Sequence, residues 1–171
     1  MATDLFMITN TKLSGNENTE TWENILSELK KLKLSNTRFI NDKHQLEYHT
    51  GDWEYEINDT LPPFNVDFLG PFVFSPVLYN NIGVIFTIYK YRNLYEFYEF
   101  EWLDNFRSEL YQILKVIGGT EVIYLADNGC DKLGKYLELM AWEDVPYEII
   151  KEKMIEQFGQ PKTDYSKLCF P

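Results

Sequence analysis

A chain of 171 residues with 27 acidic against 16 basic side chains, a formal net charge of -11, repels phosphate backbones and anionic lipid surfaces. That balance argues against nucleic-acid and membrane partners and favours a basic protein partner. Hydrophobic residues at 44% and aromatics at 16% supply the apolar area for one domain spanning residues 1–171 and exclude a disordered composition.

In chain order, residues 5–8 read as a short first strand. A helix is predicted over residues 20–33, because Trp22, Ile25, Leu26, Leu29 and Leu32 recur at helical spacing, with Glu20 and Glu23 at its start and Lys30, Lys31 and Lys33 at its end. Residues 38–40, 44–49 and 53–57 alternate, and the turn Thr50-Gly51-Asp52 predicts a β-hairpin between the last two segments. Pro62, Pro63, Pro71 and Pro76 predict a packed loop over residues 61–79, with at most one short edge strand. The β-branched and aromatic run at 82–91 predicts a central strand.

Residues 94–101 are predicted to form a strand paired with 82–91. Continuing the next helix back through them would set Glu99 about 20° from Phe106, in its apolar stripe. That helix is expected to start near Trp102, to bury Trp102, Phe106, Leu110, Ile113, Leu114 and Ile117, and to stop at Gly118-Gly119. A strand at 120–125 follows, then a helix after Asn128 with Leu133, Tyr136, Leu137, Met140 and Ala141 on one face. The last helix is predicted to be capped by Asp144, with Pro146 in its first turn, Ile150, Met154 and Phe158 inward, and Gly159 at its end. Residues 159–171 read as an irregular tail. The order predicts an α+β single domain, a largely antiparallel sheet packed with about four helices.

Chemistry-bearing motifs are sparse. His44 and His49 sit five apart, on opposite faces of a strand, and so cannot share an ion. Cys130 follows a strand and precedes a helix, but Asp127 and Asp131 oppose its thiolate, and position 136 is Tyr136 where a phosphate-cradling arginine would stand. Asp127, Asp131 and Glu138 imitate an EF-hand count, yet Gly129 and Lys132 occupy its third and sixth positions. Cys130 and Cys169 are too far apart in sequence to suggest a disulfide framework or a zinc spacing. With the absence of a signal-peptide pattern, this points to a cytoplasmic protein. No catalytic residue, metal site or cofactor is therefore expected.

The densest acidic-aromatic stretch contains Tyr95, Glu96, Tyr98, Glu99, Glu101, Trp102 and Asp104, in which rings can bury area and carboxylates can meet Lys or Arg. A second candidate surface combines Asp127, Asp131, Trp142, Glu143 and Asp144. Small size, one domain, acidity and missing catalytic motifs together resemble the immunity proteins of bacterial toxin systems. The run from GGTEVIYLADNGCDKLGKYLE to AWEDVPYEIIKEKM has the character of a family module. The resemblance implies a non-enzymatic protein that neutralises a basic partner such as a toxin by covering its active site. It assigns no binding residue. Two alternatives from other classes are a small-molecule-binding protein or enzyme with an aromatic-lined pocket, and a homodimerising structural or adaptor protein.

Overall fold

A computed structural model of the protein describes residues 4–11, 16–35, 52–71, 73–90, 100–126 and 139–159. Its strands are β1 (Asp4–Thr9), β2 (Glu54–Asp59), β3 (Phe64–Leu69), β4 (Phe74–Leu78), β5 (Gly83–Lys90) and β6 (Val122–Ala126). The full helices are α1 (Thr19–Leu29), α2 (Phe100–Val116) and α3 (Tyr147–Phe158), and residues 139–142 are also helical. The strands join one sheet in the order β2-β3-β4-β5-β1-β6, and every pairing is antiparallel. The fold is α+β, as the element order predicts.

Period-two alternation sends β-strand side chains to opposite faces, and each face of the sheet has its own core. On the first face, Met7, Phe64, Val66, Phe68, Phe74 and Ile85 pack beneath Trp22, Ile25 and Leu29 of α1 and Leu110, Ile113 and Leu114 of α2. On the second, Ile8, Val84 and Ile123 pack with Met140, Ala141, Tyr147, Ile150 and Met154. Among the described residues, the strands of the second cluster are β1, β5 and β6.

Helix α1 forms where its apolar spacing predicts, but it is shorter than expected. A capping box opens it: Asn18 Oδ1 accepts from Thr21 N at 3.2 Å, and Thr21 Oγ1 accepts from Asn18 N at 3.3 Å. Its end tightens through Lys31 N to Glu28 O and Leu32 N to Leu29 O, both spanning three residues, so the lysines follow the helix instead of closing it. Lys31 pairs with Glu28.

Two further expectations need correction, and one lies partly outside the described residues. Residues 61–79 are not a draped loop, for they carry β3 and β4 inside the sheet. Pro62, Pro63 and Pro71 fall in turns, with a cis bond at Pro62-Pro63. Only Pro76 lies in a strand, paired with Ile85 on one side. On the other side the register partners Phe64–Leu78, Asn65–Val77 and Phe68–Phe74 skip it, where proline has no N–H to give. Second, β2 pairs with β3, while the hairpin partner expected at 44–49, with both histidines, lies outside the described residues. Third, α2 begins at Phe100, so Phe100 and Glu101 are helical instead of extended; residues 94–99 lie outside the described set.

Gly118 and Gly119 end α2 for separate reasons. Gly118 has φ 86, a left-handed conformation, and its N–H reaches Lys115 O while Gly119 N reaches Leu114 O, the paired bonds of a Schellman motif. At Gly119 a Cβ would lie 2.4 Å from Thr9 Oγ1 and 2.8 Å from Leu114 Cγ, so the chain passes too close to β1 for any side chain. None of the helices among the described residues is long and apolar enough to cross a membrane.

Candidate functional site

The 139–142 helical turn ends in the same motif as α2, but with an aspartate in the glycine slot. Asp144 N donates to Ala141 O and Val145 N to Met140 O, both at 3.1 Å, while Asp144 adopts φ 56. Aspartate tolerates this conformation better than most residues, yet at a cost that glycine would avoid. Its side chain makes a contact glycine cannot. Oδ1 accepts the backbone N–H of Asn81 at 2.9 Å, and Asn81 Nδ2 donates to the Asp144 carbonyl at 3.3 Å. Asn81 lies in the β4–β5 turn, which is closed by Tyr79 N donating to Ile82 O at 2.8 Å. The helix end and the hairpin are therefore fastened together.

This clamp corrects the expectation that Asp144 caps the last helix. The residue at the N-cap of α3 is Pro146, which makes no side-chain cap bond, and Asp144 serves the preceding helix. The Asp-x-Pro spacing suggested a start signal, but the left-handed helix end claimed the aspartate first.

Trp142 stands beside the clamp. Its ring stacks on Phe86 of β5 with centroids 5.5 Å apart and planes at 22°, and it meets the edge of Tyr79 at 6.4 Å. It nevertheless remains 38% exposed, and Leu139, one turn earlier on the same helical face, and Glu143 are exposed with it. Burial and then the Asp144 charge hold the Tyr79 phenol above its ordinary pKa. The result is a partly exposed aromatic surface, held rigidly and edged by carboxylates.

The same face continues onto the sheet edge. Tyr55 and Ile57 lie on the α1 side, Tyr55 donating to Glu23 at 3.0 Å, so Glu54 and Glu56 project to the other side. Glu56 is the register partner of Asp67, and Asn58 Nδ2 donates to Asp67 Oδ2 at 2.8 Å. Ser75 stands level with Asp67 and is the register partner of Phe86. At roughly 4.8 Å between neighbouring strands, Glu56, Asp67, Ser75 and Phe86 form one row across the sheet about 14 Å wide, ending under Trp142. Directly opposed carboxylates destabilise a strand pair. Their register makes this row a local cost to the fold.

Of the residues expected to bind a partner, Trp142, Glu143 and Asp144 come together here. Asp127 and Asp131 lie outside the described residues, as do Tyr95, Glu96, Tyr98 and Glu99. Glu101, Trp102 and Asp104 begin α2, and their side chains lie outside the described set. Sequence reasoning missed Tyr79, Asn81, Phe86, Glu54, Glu56 and Asp67. The alternation in β2, EYEIND, was the available signal for Glu54 and Glu56. Compared with protein-family models, curated proteins and solved structures, this chain matches none.

Proposed function

We propose that this chain is a non-enzymatic binding protein that neutralises a basic protein partner, in the manner of an immunity protein or inhibitor. The observation that carries the reading is Trp142: a large ring, partly exposed, fixed flat on Phe86 beside Glu143 and behind the Asp144 clamp. Tryptophan anchors of this kind contribute disproportionately to protein–protein affinity, because area is buried with little ordering cost. The surrounding carboxylates and the net charge of -11 select cationic surfaces and accelerate their encounter.

The test is affinity capture from the native host at about 50 mM and 500 mM salt, beside the Trp142→Ala variant. A basic partner that is released by high salt and retained poorly by the variant is the expected result. A partner that is acidic, indifferent to salt, or held equally by the variant would overturn the reading.

A further inference from the structure

We propose that the docking surface extends from Trp142 across the β4, β3 and β2 side of the second sheet face to Glu54, Glu56 and Asp67, and that it takes the Lys/Arg-bearing face of a basic protein. This rests on the binding-protein reading and adds the surface that does the binding. Three observations support it.

First, the acidic side chains at the sheet edge reach solvent. The second-face core gathers β1, β5 and β6 beneath α3 and the 139–142 turn, whereas Glu54 and Glu56 on β2 are exposed and Asp67 on β3 is half-buried. Ion pairs between described residues join Lys31 to Glu28, Lys151 to Glu121 and Lys153 to Glu156, and none reaches Glu54, Glu56 or Asp67. A cation from another molecule is what the row lacks.

Second, the carboxylates are spread instead of gathered. Among the described residues no three His, Cys, Asp or Glu side chains converge as a metal-holding group. Acids distributed over a row about 14 Å wide suit several separate ammonium or guanidinium groups, each meeting its own carboxylate, better than one ion.

Third, the charge argues against a second copy of this chain. A two-fold dimer with its axis at the acidic end of this face would bring Glu54, Glu56 and Asp67 of one copy toward the same residues of the other. Like-charge juxtaposition is what interfaces avoid. A basic protein meets the carboxylates and Trp142 without that conflict.

The probe is a ten-residue peptide alternating Lys and Thr, followed by backbone-amide NMR on the full chain, with an alternating Glu/Thr peptide as control. The Lys peptide should shift amides in β2, β3 and residues 139–144 together with the Trp142 indole, and the shifts should vanish near 500 mM salt. The exposed double variant Glu54→Lys/Glu56→Lys should weaken binding at least tenfold while keeping a dispersed native spectrum, since it removes an opposed like-charge pair.

Shifts confined to α1 or α2, or unchanged affinity in the double variant, would overturn this surface while leaving the binding-protein reading intact. Equal response to both peptides would remove the charge logic. Concentration-dependent sedimentation of the unliganded protein that Trp142→Ala abolishes would reassign the face to a second copy. If host capture is also indifferent to Trp142, the binding-protein reading itself fails.

Discussion

Both faces of the sheet carry an apolar cluster, but they are finished differently. Beneath α1 and α2, Phe64, Val66, Phe68 and Phe74 are sealed, with Phe68 and Phe74 stacked at 5.1 Å and Trp53 edge-on to Phe74 at 6.0 Å. On the second face, aromatic packing reaches the surface: Phe86 is covered by Trp142, and Trp142 stays partly exposed. The first arrangement maximises stability. The second leaves a rigid ring and an unfavourable Glu56–Asp67 pair in view, features that stability alone does not explain.

Truncation separates the two stacks most sharply. Phe68→Ala removes a ring with no exposure and should cost about 3–5 kcal/mol in urea unfolding, with a cavity left behind. Trp142→Ala should cost only about 1–2 kcal/mol, because much of its area is already in water, yet it should remove most partner affinity. Equal stability losses from the two variants would mean that the Trp142 stack is core and that the contrast between the faces is mistaken.

The next contrast lies at the helix ends, where Gly118 and Asp144 occupy one motif. Asp144→Ala keeps a left-handed residue and leaves Asn81 N without its carboxylate, so a loss of about 1–3 kcal/mol is expected. Asp144→Gly relieves the backbone while losing the same bond, and should stay within about 1 kcal/mol of the parent. A Gly variant as damaged as the Ala variant would show that the carboxylate, not the backbone, carries the effect. Both should loosen Trp142, detectable as faster indole hydrogen exchange.

A smaller effect of opposite sign is expected on the sheet edge. Glu56→Lys turns an opposed like-charge pair with Asp67 into an attractive one and should stabilise the fold by about 0.5 kcal/mol, measured by thermal unfolding at low salt. Stability would rise while partner binding falls, a trade-off common at binding surfaces. A destabilised variant would mean that Glu56 has a structural partner after all.

Strands β1, β5 and β6 were legible because each is a run of β-branched and aromatic residues, and α1 because Trp22, Ile25 and Leu29 keep helical spacing. Strands β3 and β4 were hidden by proline. The rule that prolines break ladders is sound, but Pro62, Pro63 and Pro71 stand between strands, and the alternation of Phe64, Val66 and Phe68 was the stronger signal. At the site, Trp142, Glu143 and Asp144 were readable because they are adjacent in the chain. Asn81 lies 63 residues from Asp144, and no periodicity connects the two. The sheet register that brings Phe86, Ser75 and Asp67 into one row depends on β3 and β4, so losing those strands hid the row as well.

The smallest contrast is between two phenols, one on each face. Tyr55 is held above its ordinary pKa by burial, by its hydrogen bond to Glu23 and by that carboxylate's charge, and Tyr79 by burial and the charge of Asp144. In both, the folded state resists ionisation more than the unfolded chain, whose tyrosines titrate near 10. Below about pH 10 both states keep the proton and the contribution to stability is complete. As pH rises beyond that, the unfolded chain releases its proton first, so stability falls until the folded pKa is passed. Tyr79→Phe should flatten part of this alkaline decline in urea unfolding followed from pH 8 to 11, and Tyr55→Phe the other part. Asp144→Asn should remove only the charge contribution at Tyr79 and leave the larger one from burial, giving a slope between those of the parent and Tyr79→Phe. A slope identical to that of Tyr79→Phe would mean that Asp144, and not burial, governs the phenol beneath Trp142.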